Sequence, residues 1–164
     1  MNGTELERHA RRRRAHGEHG LRLSPRHRRL VYAAFFAIWV TGILWLVFHY
    51  FLQRQGEFGA EPHPFEAWWL RLHGAAAFVV LWLAGLLWIV HVRQGLARPK
   101  RRVSGIVLIV MFAVLAASGW LLYYASDDSL RDAVRLIHWL VGLALPLLLV
   151  VHIVRGRKRS AAGK

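Results

Sequence analysis

The chain alternates long apolar blocks with short polar connections, and charged residues are confined almost wholly to the connections. A helix of about 20 apolar residues crosses a hydrocarbon core of about 30 Å, and each of the four blocks is long enough for this. A helix also suits that setting because it satisfies its own backbone polar groups. The pattern therefore predicts an all-α integral-membrane protein with helices at residues 30–52, 65–92, 103–125 and 133–154.

The connections are short, and short connections make successive helices antiparallel neighbours, so we expect a four-helix up-down bundle. Glycine and proline residues interrupt the chain at 53–66, and Pro146 predicts a kink within the fourth helix. The chain then divides into a basic, disordered tail at residues 1–29, a four-helix domain at 30–154 and a second basic tail at 155–164.

The formal net charge is +14, which in a water-soluble protein would favour nucleic acid as a partner. The distribution of the charged residues along the chain favours a lipid bilayer as the partner instead. Of the 23 Lys and Arg residues, 19 lie in residues 1–29, 93–102 and 155–164, whereas six of the nine acidic residues lie in the other two connections. Basic connections stay on the cytoplasmic side of a membrane. We therefore expect both termini and the 93–102 connection in the cytoplasm, facing anionic headgroups and no nucleic acid.

The sequence contains no cysteine. This excludes a disulfide framework, an iron–sulfur cluster held by thiolates and the covalent attachment of c-type haem. The absence of cysteine does not indicate whether the protein lies in an oxidising or a reducing compartment.

Two of the apolar blocks carry a histidine near each end. His73 and His91 are eighteen residues apart, so both rings project from one helix face, about 27 Å apart along the axis. His138 and His152 are fourteen residues apart, which is about 40° from alignment and about 21 Å along the axis. An arginine lies two or three residues from each ring and marks its depth. By this measure His73 and His138 share the outer level, and His91 and His152 the inner level.

Histidines at two matched depths are the arrangement that iron requires when facing helices supply both of its axial imidazoles. Two levels therefore predict two haems, with His73 and His138 as ligands of one iron and His91 and His152 as ligands of the other. Small residues beside the ligands, at positions 74–77 and at Gly142, would leave room for a flat macrocycle. Four arginines are candidate partners of the haem propionates: Arg71 and Arg135 outside, and Arg93 and Arg155 inside.

Two further histidines leave the ligand assignment open. His49 ends the first block at about the expected depth of His73 and His138. It could replace one of them, bind a propionate or line a quinol pocket, and we favour a role other than ligand. His27 could compete in the same way at the inner level. The unequal spacings differ by about 6 Å, which helix tilt or a kink at Pro146 would absorb.

Four segments carry a resemblance to a known family: RLHGAAA (71–77), HVR (91–93), SGWLLYY (118–124) and HWLVGLALPLLLVVHIVRGR (138–157). Together they resemble the small four-helix di-haem b-type cytochromes of bacterial membranes. This group includes the flavinylation-associated cytochromes and is related to the cytochrome b subunits of formate dehydrogenases and nickel–iron hydrogenases. The resemblance implies two non-covalent b haems with bis-histidine ligation that carry electrons across the bacterial inner membrane. The fourteen-residue spacing is usual in such families. The eighteen-residue spacing departs from it, and in the dehydrogenase and hydrogenase subunits one ligand comes from the first helix.

The sequence therefore predicts an electron-transfer subunit with two six-coordinate irons. Such irons have no open position for a substrate, and the protein sets their potentials through ligands, burial and charge. We expect a periplasmic flavoprotein or another redox subunit as partner, with a quinone as a further candidate. One alternative is a proton or metal-ion transporter that uses the histidines as relay or ligands, although the helix cores contain no carboxylates. The other is a membrane anchor without a cofactor.

Overall fold

The computed structural model of the protein describes residues 24–96 and 102–161. Most of the predicted basic tail, the end of the second tail and much of the 93–102 connection lie outside the described residues. The described elements are α1 (Pro25–Tyr50), β1 (Arg54–Gly56), β2 (Gly59–Glu61), α2 (Pro64–Leu87), a π-helical segment (Trp88–Val92) with a further helical turn (Arg93–Leu96), α3 (Arg102–Tyr124) and α4 (Asp128–Ala161).

The prediction of four long apolar helices is confirmed. The stretches Pro25–Tyr50, Pro64–Leu87, Val103–Tyr124 and Asp128–Gly156 are each long and apolar enough to cross a membrane. Apolar side chains such as Phe78 and Leu147 cover their outer faces and are mostly exposed, which suits contact with lipid.

Two helices begin earlier than their apolar blocks because polar residues cap them. The Ser24 hydroxyl accepts a hydrogen bond from the His27 N–H, and Pro25 occupies the first position of α1. At α4, the Asp127 carboxylate accepts from the Leu130 N–H at 2.7 Å. The caps add about one turn to each helix beyond the blocks at 30–52 and 133–154.

The connection between α1 and α2 is a two-stranded antiparallel ribbon, not the loop that its glycines and prolines indicate. Arg54 pairs with Glu61, and Gly56 pairs with Gly59. Gly59 has a φ of 121°, a conformation that a residue with a side chain rarely adopts. The ribbon brings the end of α1 and the start of α2 together.

The helices pack as two antiparallel hairpins. Helix α1 lies along α2 and α3 lies along α4, whereas the two hairpins approach each other closely at few points. Few of the described residues are buried: Val80, Leu83, Ser118, Ala125 and Val134. Contact between the hairpins therefore depends on side chains that project across the bundle, and the histidines of α2 and α4 are among them.

Helix α4 continues through Pro146 as a single element. The kink predicted at Pro146 stays a prediction. A second irregularity follows α2, where the π-helical segment carries His91. A π-helical turn is wider than an α-helical turn and rises less per residue. The eighteen-residue spacing from His73 to His91 therefore spans less than the 27 Å expected of a straight α-helix.

Candidate functional site: two histidine pairs

The structure brings the four histidines of α2 and α4 together as two pairs. The rings of His73 and His138 have centroids 6.2 Å apart and planes at 84°. Those of His91 and His152 are also 6.2 Å apart, with planes at 85°. Since low-numbered residues of α2 meet low-numbered residues of α4, these two helices run in the same direction and face each other across the bundle.

The two pairs lie toward opposite ends of the molecule. We call the end with the β-ribbon and the 125–127 connection the hairpin end, and the end with the start of α1 and the end of α4 the termini end. His73 and His138 form the hairpin-end pair. His91 and His152 form the termini-end pair.

His73 is held by α1. Its Nδ1 donates to the Ile38 carbonyl oxygen at 2.9 Å and lies 3.3 Å from the Thr41 hydroxyl. A carbonyl oxygen can only accept, so the bond assigns the proton of the neutral ring to Nδ1. The lone pair of Nε2 is then free to bind a metal.

His138 is held by α3 through a two-step hydrogen-bond chain. Its Nδ1 lies 2.8 Å from the Ser118 hydroxyl, and that hydroxyl donates to the Val114 carbonyl oxygen at 2.6 Å. Because its proton is used there, the hydroxyl accepts from Nδ1–H. This tautomer again leaves Nε2 free. A hydrogen bond at the second nitrogen is the usual support of a metal-ligating histidine.

Glycines back both rings of the hairpin-end pair. A Cβ at Gly42 would lie 3.0 Å from Cε1 of His73, and one at Gly119 would lie 3.2 Å from Cε1 of His138. Both distances are tighter than ordinary contacts, so these positions let α1 and α3 press directly against the imidazoles. Neither glycine is distinguished in the sequence by anything but its small size.

Two glycines expected beside the ligands also have close neighbours on α3. A Cβ at Gly142 would meet Cδ2 of Leu115 at 3.7 Å, and one at Gly74 would meet the Tyr123 hydroxyl at 3.5 Å. Both positions therefore face α3. They allow close helix packing, as small residues commonly do between helices in membranes.

The termini-end pair has less support. His152 Nδ1 lies 3.0 Å from the Ser104 hydroxyl, and a Cβ at Gly105 would lie 3.9 Å from the His152 ring. His91 is exposed, and within the described part of the chain its one ring contact is with His152. It belongs to the π-helical segment, an irregularity that is frequent at functional sites.

The four arginines predicted to bind propionates lie near the helix ends, and two have protein partners. The Arg71 guanidinium stacks over Trp68 at 5.2 Å. Arg135 pairs with Asp132 at 2.9 Å. Arg93 and Arg155 are exposed at the termini end, and neither makes an ion pair with any described residue.

The other described histidines, His27, His49 and His63, lie apart from the two pairs. His49 Nδ1 donates to Glu66 at 2.7 Å, and its ring stacks on Trp45. Since Thr41 contacts His73, His49 lies about 12 Å further along α1, beyond the depth expected for it. His27 is in the first turn of α1, with Nδ1 2.7 Å from the Ser24 hydroxyl. His63 caps α2.

The donor set fits a planar metal macrocycle better than a metal held by protein alone. Within residues 24–96 and 102–161, no three His, Asp or Glu side chains come together as a metal site, whereas haem leaves only two axial positions for the protein. Bonds from metal to imidazole nitrogen are about 2.0–2.1 Å. Two ligands on opposite sides of one metal then have ring centroids roughly 6 Å apart, close to the 6.2 Å in both pairs.

Edge-to-face aromatic contacts also have centroid separations of about 4.5–7 Å, so the distance alone does not distinguish ligands from packed rings. Two further features favour ligands. The same separation occurs twice at different depths, and at the hairpin end both Nδ1 atoms donate to a neighbouring helix. A buried imidazole that merely packed would also need a hydrogen-bond partner, so the repeated separation is the stronger of the two features.

In comparisons with known proteins, no family model, curated protein or solved structure matches the chain.

Proposed function

We propose that the protein is a di-haem b-type cytochrome of the bacterial inner membrane. His73 and His138 would be the axial ligands of one haem, and His91 and His152 those of the other. The observation that carries the proposal is the pair of equal His–His separations across the bundle. The resemblance of the His138–Arg157 segment to small b-type cytochromes points in the same direction.

When bound, haem b supplies a one-electron couple. The chain's own contribution is to fix the imidazoles, exclude water and set the charge around the site. Along α4 the two ligand positions are about 21 Å apart, so two sites together would cover most of a hydrocarbon core of about 30 Å. This arrangement favours electron transfer between the two membrane faces.

We propose that the termini end faces the cytoplasm. Both basic tails belong to that end, whereas six acidic residues lie in the connections of the hairpin end, which is the distribution of a positive-inside protein. The hairpin end would then face the periplasm, where a flavoprotein or another redox subunit could exchange electrons with it. A quinone is the further candidate.

The decisive experiment is a visible spectrum and a pyridine haemochrome assay of the full chain, purified from cells supplied with excess haem. We expect Soret and α bands of reduced b haem and about two haems per chain. One haem per chain would limit ligation to a single pair. A colourless protein would contradict the proposal and favour the transporter or the cofactor-free anchor.

The chain offers two matched controls for the ligand assignment. His49→Ala and His27→Ala each remove an imidazole outside the pairs, and both variants should keep two haems. If His49→Ala loses a haem while His73→Ala does not, the assignment of His73 is wrong.

A further inference from the structure

Two buried N–H groups toward the hairpin end have no hydrogen-bond acceptor among the described residues. They are Nε1 of Trp69 on α2 and Nε of Arg131 on α4. Buried polar groups are nearly always hydrogen-bonded, because an unpaired one loses its hydrogen bonds to water without replacing them. The third such group, Nε1 of Trp39, lies on α1 at the level of the His73 contacts. Trp69 and Arg131 differ from Trp39 because each lies on the same helix as a candidate ligand, His73 or His138.

Both donors lie on the histidine-bearing faces of their helices. Trp69 precedes His73 by four residues, which places it about 40° from that ring and about 6 Å nearer the hairpin end. Arg131 precedes His138 by seven residues, which places it about 20° from that ring and about 10 Å nearer the hairpin end. Two unsatisfied donors from facing helices therefore lie beyond the same histidine pair.

Three acids lie within four residues of Arg131. Asp128 is exposed, and the other two are engaged elsewhere. The Asp127 carboxylate accepts from the Ser129 hydroxyl and the Leu130 N–H, both at 2.7 Å. Asp132 pairs with Arg135. Arg131 makes no ion pair with any described residue. The Trp69 ring of α2 contacts the ring of Phe48 on α1, which supplies no acceptor. No described residue therefore supplies an acceptor for either group, and both remain available to a ligand.

We propose that Arg131 and Trp69 form a carboxylate-binding site beside the hairpin-end pair. The proposal rests on the proposed function, in which the carboxylates are the propionates of the hairpin-end haem. Guanidinium and indole N–H are both donors, and an arginine–carboxylate bond is among the stronger kinds in proteins. This assigns the anchoring role to Arg131, where the sequence alone pointed to Arg71 and Arg135.

The chain contains matched controls for both donors. Trp68 and Arg71 lie one and two residues from Trp69 and have the same kinds of side chain as the two site residues. Both are exposed, and they stack on each other. We would compare Arg131→Gln and Trp69→Phe with Arg71→Gln and Trp68→Phe in the full chain in detergent. The readouts are the two midpoint potentials, haem content, and the rate of haem transfer to an excess of apomyoglobin.

Arg131→Gln should lower one midpoint potential, because a positive charge beside haem disfavours the oxidised form, and should leave the other unchanged. Loss of a charged hydrogen bond should speed release of that haem about ten-fold. Trp69→Phe should speed release about five-fold without a comparable change in potential. Arg131→Lys keeps the charge, so it should retain the potential while releasing haem faster. The two control variants should match the wild type.

Haem dimethyl ester identifies the source of the carboxylate. Wild-type apoprotein loaded with the ester should behave like the double variant of Arg131 and Trp69, and that double variant should not distinguish ester from haem. If the variants still differ from wild type with the ester, a lipid headgroup is the acceptor and the proposal is overturned. It is also overturned if the wild type binds two haems and Arg131→Gln matches Arg71→Gln. A wild type without haem contradicts the proposed function itself.

Discussion

The hairpin-end pair and the termini-end pair have the same ring separation and nearly the same interplanar angle, but the surrounding helices hold them differently. At the hairpin end, both Nδ1 atoms donate to fixed acceptors on α1 and α3, and a glycine backs each ring. At the termini end, His152 is the one member with such a partner among the described residues, and His91 lies exposed in a π-helical segment.

This difference indicates how far each site is organised before a ligand binds. Rings whose tautomer and orientation are already fixed lose little freedom on binding a metal. We therefore expect the hairpin-end site to bind haem more tightly, while the termini-end site depends on the ligand itself to orient His91. Greater exposure at His91 also predicts a different potential for the two haems, because burial is one of the properties that set it.

Removing a candidate ligand should have the largest effect on the haem content of its own end. Replacing either member of one pair by alanine should eliminate one haem and leave the other site intact, since the pairs share no residue. The variants are His73→Ala and His138→Ala for the hairpin end, and His91→Ala and His152→Ala for the termini end. Haem stoichiometry and redox titration measure the result. Loss of both haems from every variant would contradict two independent sites.

A methyl group added behind a hairpin-end ring should have the next largest effect. The Cβ of Gly42→Ala would lie 3.0 Å from His73, and that of Gly119→Ala 3.2 Å from His138, so each ring must shift. Overpacking of this kind costs about 1–3 kcal/mol, which weakens haem binding about ten-fold or more at the hairpin end alone.

Gly85→Ala and Gly95→Ala are the matched controls, because a Cβ at either position meets nothing within 4 Å. Both should keep wild-type haem affinity, and helix propensity favours alanine in each case. If the controls lose haem as readily as Gly42→Ala, the effect of the added methyl group is not specific to the imidazole contact.

The serine partners allow the two ends to be compared residue for residue. Ser118→Ala removes the acceptor of His138 Nδ1, and Ser104→Ala removes the partner of His152 Nδ1. Loss of such a partner commonly weakens metal binding about 10- to 100-fold. Each variant should accelerate haem release from its own end only. Equal effects on both haems would show that the hydroxyls act through overall packing.

The sequence predicted the four helices and the pairing of the histidine positions, because apolar block length and helical spacing are local properties. It did not reveal what supports the rings. The Ile38 carbonyl is a backbone group, and any residue at that position would supply it. Gly42 matters only because α1 meets His73 there, and the spacing of residues along one helix says nothing of the rotation of its neighbour.

The π-helical segment was unpredictable for a related reason. The apolar sequence of residues 88–92 predicts an uninterrupted continuation of the second helix. The choice between an α-helical and a π-helical turn depends instead on packing across the bundle. Arg131 was missed because its charge resembles that of other arginines near helix ends. Only the buried, unpaired Nε distinguishes it, and that is a property of the folded chain.

The smallest expected effect is a loss of stability at the hairpin end as the pH falls. Hydrogen bonds from the Leu130 N–H and the Ser129 hydroxyl lower the pKa of Asp127. The ionised form therefore stabilises the start of α4 fully above the unfolded pKa of about 4. This contribution is lost as the pH falls through the lower pKa of the folded state. Low pH should therefore destabilise the start of α4 in that range and leave the stability of the termini end unchanged.

Asp127→Asn tests this dependence, because asparagine can still cap the helix but does not titrate. Its thermal stability and hairpin-end haem content should change less between pH 5 and about pH 3 than those of the wild type. Asp127→Ala should be less stable than the wild type at pH 7 and equally insensitive to this step. The four membrane histidines and the other acids are common to all three proteins, so the difference between their pH profiles isolates Asp127. Identical profiles for wild type and Asp127→Asn would show that this carboxylate does not control the start of α4.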